Sequence, residues 1–335
     1  MRSLSKPAAG AGLACLLTLA ATGCSSGFGG TSDAAPKVPG RTAGTAYAPY
    51  VNATTASGND SAGSPATYNL AFVISDGSGC TPQWDGGYAL DNKQVTARIS
   101  RLRKSGGALR VSFGGADGRE LAATCGDASA LAGAYGRALD AAGSTRADFD
   151  IEGDELTDSA SVALRSRAIA LLQKERPGLE VTFTLPVMPS GLDSHGLALL
   201  ESANRHDVRV STVNLMTMNY AESYAGDMGD YAIAAAEAAH TQLKKVFALS
   251  DAAAWQGMAL TSMIGVNDVA GETFTLSDAA QVRAFAERKR IAWVSMWSTF
   301  RDQQCEKGSS ARGDAATTCS GVRQKPGAFG KAFGG

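Results

Sequence analysis

Eight apolar, β-branched or aromatic runs recur along the chain, and Ala-rich stretches with helical spacing separate them. The strand candidates are 45–51, 69–75, 108–115, 147–153, 179–187, 213–220, 258–266 and 291–297. Helix candidates lie at 128–143, 159–175, 231–245 and 277–290, with Ser159 and Ser277 as expected N-caps. Strands that alternate with helices pair in parallel through crossover connections. Eight such units over about 255 residues match the size and order of an α/β fold of the (β/α)8, or TIM barrel, kind in one domain. An open doubly wound sheet is the alternative, but no G-x-G-x-x-G follows the first strand candidate. Several runs are almost wholly apolar, as strands covered on both faces must be. "ADFDIEG" (147–153) and "VNLMTMNY" (213–220) break that rule by placing polar groups inside it.

The N-terminus stands apart from this pattern. Residues 1–23 combine Arg2 and Lys6, an apolar stretch from Ala8 to Ala21 and small residues before Cys24, the make-up of a secretory signal peptide. The apolar stretch is shorter than the roughly 20 residues a membrane-spanning helix needs. "ATGC" (21–24) resembles a bacterial lipobox, with Ala21 where Leu is usual. It would make Cys24 the lipidated first residue of a lipoprotein on the outer face of the cell membrane. Residues 24–40 are small, polar and Gly/Pro-containing, as a flexible tether should be. The barrel is then expected over 41–304, with a disulfide-closed tail over 305–335 packing on it.

With Cys15 in the signal and Cys24 at the lipid site, Cys80, Cys125, Cys305 and Cys319 remain. In an exported protein they imply disulfides, with three possible connectivities. Cys80–Cys125 with Cys305–Cys319 is the favoured pair. No C-x-x-C occurs and His195, His206 and His240 are scattered, so neither a metal nor a cofactor is expected. A formal net charge of −1 gives no reason to expect nucleic acid as a partner. A monomer is expected.

The most informative stretch is "RADFDIEGDEL" (146–156). On a strand, Asp148, Asp150 and Glu152 share one face, and Phe149 and Ile151 share the other. In a barrel the apolar pair meets the helix layer, so the acids face the interior. Glu152, last in chain order, lies nearest the C-terminal mouth where barrel enzymes keep their chemistry. Carboxyls about 6–7 Å apart on one strand face raise one another's proton affinity, so one should hold a proton near neutrality and serve as a general acid. Asp154 and Glu155 read as loop surface or as charges at a helix N-terminus.

"TRADFDIE" (145–152) resembles the D-x-x-D-x-D-x-E signature of glycoside hydrolase family 18, the chitinases and related endo-N-acetylglucosaminidases. The last three acids match, and Thr145 stands where the family usually has Asp. "SFGG" (112–115) resembles its S-x-G-G, "LMTMNYA" (215–221) its M-x-Y segment, and "SMWSTFRD" (295–302) its eighth strand. "TLPVMPSGL", "MIGVNDV", the Cys80 and Cys125 positions and the "CSGV" tail look like secreted bacterial chitinases of that family. The resemblance covers roughly residues 41–334. It implies that Glu152 protonates the glycosidic oxygen, Asp150 orients the substrate acetamido group, Asp148 shares a proton with Asp150, and Tyr220 hydrogen-bonds the acetamido carbonyl. Trp297 would floor the pocket, with Met218 and Asn219 beside it. Ser112 and the glycine pair read as structural, and Trp84 and Trp255 as possible walls of outer subsites. The implied activity is substrate-assisted, retaining hydrolysis of β-1,4-linked N-acetylglucosamine in chitin or chito-oligosaccharides. The alternatives are an endo-β-N-acetylglucosaminidase acting on N-glycans and a non-catalytic sugar-binding barrel. An intact Glu152 argues against the latter.

Overall fold

The computed structural model describes residues 44–306 and 318–335, so the expected signal, the tether and Cys24 lie outside it. β1 (Ala46–Tyr47) and β2 (Tyr50–Asn52) are the two halves of one strand, split at Pro49, which has no N–H to give to a ladder. β3 (Thr67–Ser75) follows, and β4 (Pro82–Trp84) folds back antiparallel on it. The remaining barrel strands are β5 (Ala108–Gly114), β6 (Arg146–Asp150), β7 (Glu180–Pro186), β8 (Val210–Met216) and β9 (Met258–Met263). After a small hairpin, β10 (Gly265–Val266) with β11 (Thr273–Phe274), comes β12 (Trp293–Trp297). The sheet runs β1-β12-β9-β8-β7-β6-β5-β3-β2. Because β1 and β2 are consecutive, that order closes on itself into the expected eight-stranded parallel barrel.

Helices surround it: α1 (Lys93–Lys104), α2 (Ala128–Ala142), the short α3 (Gly153–Thr157), α4 (Ser159–Glu175), α5 (Ser194–Arg205), α6 (Met228–Val246), α7 (Asp251–Gln256), α8 (Leu276–Lys289) and α9 (Ala328–Gly334). Two expected caps move. Asp158, not Ser159, caps α4, and Thr275, not Ser277, caps α8 through a capping box with Asp278. In both cases an oxygen-bearing side chain one or two residues upstream already satisfies the first free N–H groups.

The core lies between strands and helices. Phe149 and Ile151 are fully buried, and Phe149 packs against Phe113, Tyr135 and Phe183 with ring centroids 5.0–5.8 Å away. Their outward direction obliges Asp148 and Asp150 to point into the barrel. Disulfides join Cys80 to Cys125 and Cys305 to Cys319. Near the C-terminus, Asp302 accepts the Phe329 and Gly330 N–H groups at 3.0 and 2.8 Å, and Phe329 and Phe333 are fully buried. Trp84 and Trp255 are core residues, not outer walls. Trp84 is fully buried, and Trp255 stacks on His240 at 3.9 Å.

Candidate active site

β6 ends at Asp150, yet Glu152 keeps an extended backbone (φ −144°, ψ 175°) as the residue before α3. The alternation therefore continues one step past the strand. Gly153 then turns the chain with φ +56°, a conformation that glycine adopts without strain. Gly114 lets β5 come close to the same point. A Cβ there would sit 2.1 Å from the Asp150 carbonyl oxygen, and the Gly115 N–H donates to that oxygen at 3.0 Å. At the other end of β6, Thr145 is exposed. Ser144 ties the strand start instead, donating to the Leu109 carbonyl at 2.7 Å and accepting the Arg146 N–H at 3.0 Å.

Asp148 is fully buried and anchors a polar layer across the barrel. Its Oδ2 accepts from the Tyr50 hydroxyl at 2.8 Å and from Ser112 at 2.6 Å, and its Oδ1 accepts from Thr184 at 2.6 Å. Asn214 Nδ2 donates to the Thr184 and Tyr50 hydroxyls at 2.9 and 3.3 Å, and Thr261 donates to Asn214 Oδ1 at 2.9 Å. Ser112 thus touches the acid row and is more than a structural residue. Tyr50 and Thr184 carry no local motif that would mark them in sequence. Burial raises the proton affinity of Asp148, while the three hydroxyls and the Arg110 charge hold it down.

Asp150 is buried with no compensation. Its Oδ1 has no partner among the described residues. Burial, then the charges of Glu152 and Asp148, push its carboxyl well above the usual range. Glu152 stands at the mouth. Burial and the nearby Asp117, Glu155 and Asp268 push its carboxyl up to about 7.

A cavity of about 210 Å³ opens beside the row, walled by Asp150, Glu152, Met218, Asn219, Trp297 and Asp268, among others. Trp297 stacks on Phe72 at 5.5 Å and meets Tyr50 edge-on at 5.8 Å. A ring held this way offers one flat face, which suits stacking on a sugar ring. Asn219 (φ +54°) exchanges hydrogen bonds with Asp268: its Nδ2 donates to Oδ2 at 3.2 Å and its Oδ1 accepts the backbone N–H at 3.1 Å. Asp268, in the quoted "MIGVNDV", is a site residue that sequence reasoning passed over. Its neighbours there are apolar or amide, so nothing local marked it.

Tyr220 departs from expectation. It is buried against Tyr224 and Tyr231 and is not among the residues lining the cavity, although its hydroxyl lacks a partner among the described residues. β8 ends at Met216, and the left-handed turn at Asn219 carries Tyr220 out of register with the strand. Glu272, on the β10–β11 hairpin, fixes that turn by accepting the Tyr220 and Ala221 N–H groups at 2.6 and 3.0 Å.

On the other side of Glu152 lies an open cleft of about 610 Å³, lined by Ala116, Gly118, Arg119, Gly153, Asp154 and Glu155. Asp154 and Glu155 do sit in the first turn of α3, but they also border this cleft and are not mere surface. The loop that forms its far wall is anchored by buried Glu120, which accepts Arg165 at 2.7 and 3.0 Å and Tyr135 at 2.5 Å.

Comparison with known proteins gives a consistent result, although no family model matches the chain. It is 35% identical over 275 residues to a probable bifunctional chitinase/lysozyme of Escherichia coli, and 34% identical over 274 residues to endochitinase 11 of Metarhizium anisopliae. Each alignment covers 76% of this chain, but only 31% and 52% of those longer relatives. The catalytic domain of a hyperthermophilic chitinase from Pyrococcus furiosus superposes with a TM-score of 0.74 at 31% identity, covering 86% of this chain and 93% of that one. With a near-complete match of that kind added to the D-x-D-x-E row inside a closed parallel barrel, the chain belongs to the chitinases of glycoside hydrolase family 18.

Proposed function

We propose that the protein is a secreted retaining glycosidase that hydrolyses β-1,4-linked N-acetylglucosamine in chitin or chito-oligosaccharides with the substrate's own acetamido group as nucleophile. The observation that carries this reading is the contrast between the two outer acids. Glu152 is poised near neutrality to give up a proton, whereas Asp150 is sunk beside the cavity with an unpartnered oxygen. A buried carboxyl of that kind is poorly placed to attack an anomeric carbon and well placed to accept an N–H.

In the proposed cycle Glu152 gives its proton to the glycosidic oxygen as the C1–O bond breaks. The acetamido oxygen bonds to C1 and forms an oxazolinium ion. Asp150 Oδ1 accepts the acetamido N–H, and Asp150, by sharing its own proton with the now ionised Glu152, balances the positive charge that develops there. Water then attacks C1 as the bond from C1 to the acetamido oxygen breaks and the acetamide is restored, Glu152 takes the water's proton, and the configuration is retained. Trp297 forms the floor. Tyr220 is a candidate donor to the acetamido carbonyl by virtue of its free hydroxyl, once substrate occupies the cavity.

The test is turnover of chito-oligosaccharides in the presence of a thiazoline analogue of N-acetylglucosamine. Competitive inhibition and a β-anomeric first product are expected. An α-anomeric first product, or turnover indifferent to the thiazoline, would rule out substrate assistance. We further propose export and anchoring through Cys24. Full-length protein is expected in the membrane fraction, and Cys24→Ala should release it. A wild-type chain that is already soluble would dismiss the anchor.

A further inference from the structure

We propose that Arg110 is the counter-charge of Asp148, a positioning residue that keeps the lower end of the acid row anionic. Arg110 lies on β5 two residues before Ser112 and shares its inward face. Ser112 stands opposite Asp148 in the β5–β6 register, so Arg110 sits one layer beneath the acid, about 6–7 Å along the strand. It is 6% exposed. Its Nη1 donates to Asn69 Oδ1 at 2.7 Å, its guanidinium lies 4.7 Å over the Trp293 ring, and its Nε has no partner among the described residues. Both partners are neutral. A buried guanidinium with only neutral partners is costly unless a carboxylate compensates it.

Asp148 presents the converse need. Tyr50, Ser112 and Thr184 all donate to it, and Asn214 donates into two of those hydroxyls, so the whole layer is oriented toward an acceptor. A proton on Asp148 would find no acceptor there unless one hydroxyl turned round. The charged and titratable groups facing Arg110 are Asp148 and Arg146 on β6, Glu180 on β7 and Tyr50 on β2. Glu180 is already paired with Arg146 at 3.0 Å, which leaves Asp148 as the carboxylate for Arg110. Asp148 in turn faces Asp150 on its own strand, Tyr50 and Arg110. Holding Asp148 anionic confines the mobile proton to Asp150 and Glu152, the end that meets substrate. Arg110 itself does not line the cavity.

The assay of this idea rests on the proposed function only for its turnover arm. In Arg110→Gln, Asp148 takes a proton at higher pH, so the acidic limb of the kcat profile should move up by about one unit. KM and the alkaline limb should stay in place, and Arg110→Lys should restore the wild-type limb. A folded Arg110→Gln whose acidic limb does not move, or an Arg110→Lys that behaves like it, overturns the proposal. The second arm needs no turnover and survives poor folding of the single variant. Arg110→Gln should lower the melting temperature less in an Asp148→Asn background than in the wild type, because that background has no carboxylate for Arg110 to compensate. An equal loss in the two backgrounds shows Arg110 to be packing only. A wild type that cleaves nothing would refute the proposed function while leaving this melting comparison intact.

Discussion

Glu152→Gln is expected to lower kcat on a chito-oligosaccharide by about 10²–10⁴-fold, the usual contribution of a positioned general acid, while binding of the same oligosaccharide stays within about twofold. The amide keeps the size and hydrogen-bonding reach of the side chain but has no proton of suitable acidity to give. The wild-type pH profile should reveal the same group. Burial and the charges of Asp117, Glu155 and Asp268 push Glu152 up to about 7, against the pull of the α3 N-terminus, which favours the ionised form. The first step needs the protonated acid, so turnover should fall as pH rises through about 7. Isothermal titration on the Gln variant and a kcat profile on the wild type are the two measurements. Turnover by the Gln variant at the wild-type rate would remove Glu152 from the mechanism.

The barrel was legible because its strands, buried on both sides, are rich in apolar and β-branched residues and carry few charges. The six residues of β9 are all buried and none is charged. The helices that were missed are those whose outer faces dominate their sequence. α1, "KQVTARISRLRK", buries four residues among repeated cations. The β10–β11 hairpin was invisible because strands of two residues have no period to detect. The acid row was legible for the opposite reason to β9: carboxyls at period 2 inside an apolar strand cannot be explained by burial. Tyr50, Thr184, Asp268 and Glu272 could not be read in the same way. Each is an ordinary residue in its own segment, and only closure of the barrel brings Tyr50 and Thr184 to Asp148, 98 and 36 residues away along the chain, Asp268 to Glu152, and Glu272 to the Tyr220 turn. Tyr220 was legible as a motif residue, but its burial against Tyr224 and Tyr231, beyond the left-handed turn at Asn219, was not.

Asp150→Asn should separate activity from stability more sharply than any other change in the site. In the wild type a buried carboxyl carries an oxygen without a partner, an arrangement that costs about 1–3 kcal/mol and persists in native proteins mainly at functional sites. Because burial raises its folded-state proton affinity, Asp150 is harmless to the fold below about pH 4, where it is protonated in folded and unfolded chains alike. Above that, the unfolded chain ionises first, and stability is lost progressively as pH rises toward the raised folded-state value. The neutral amide suffers no such loss. The Asn variant should therefore melt close to the wild type at pH 4 and a few degrees above it at neutral pH, since 1 kcal/mol moves the Tm of a large domain by about 2–4 °C. Its kcat should fall by about 10²-fold or more, because an amide cannot give up a proton, as the carboxyl can, to balance the charge on an oxazolinium ion. Thiazoline binding should weaken in step. Calorimetry at three pH values and a single kcat determination decide the matter: an Asn variant that melts below the wild type at every pH, or one that turns over normally, would show that Asp150 is neither strained nor used.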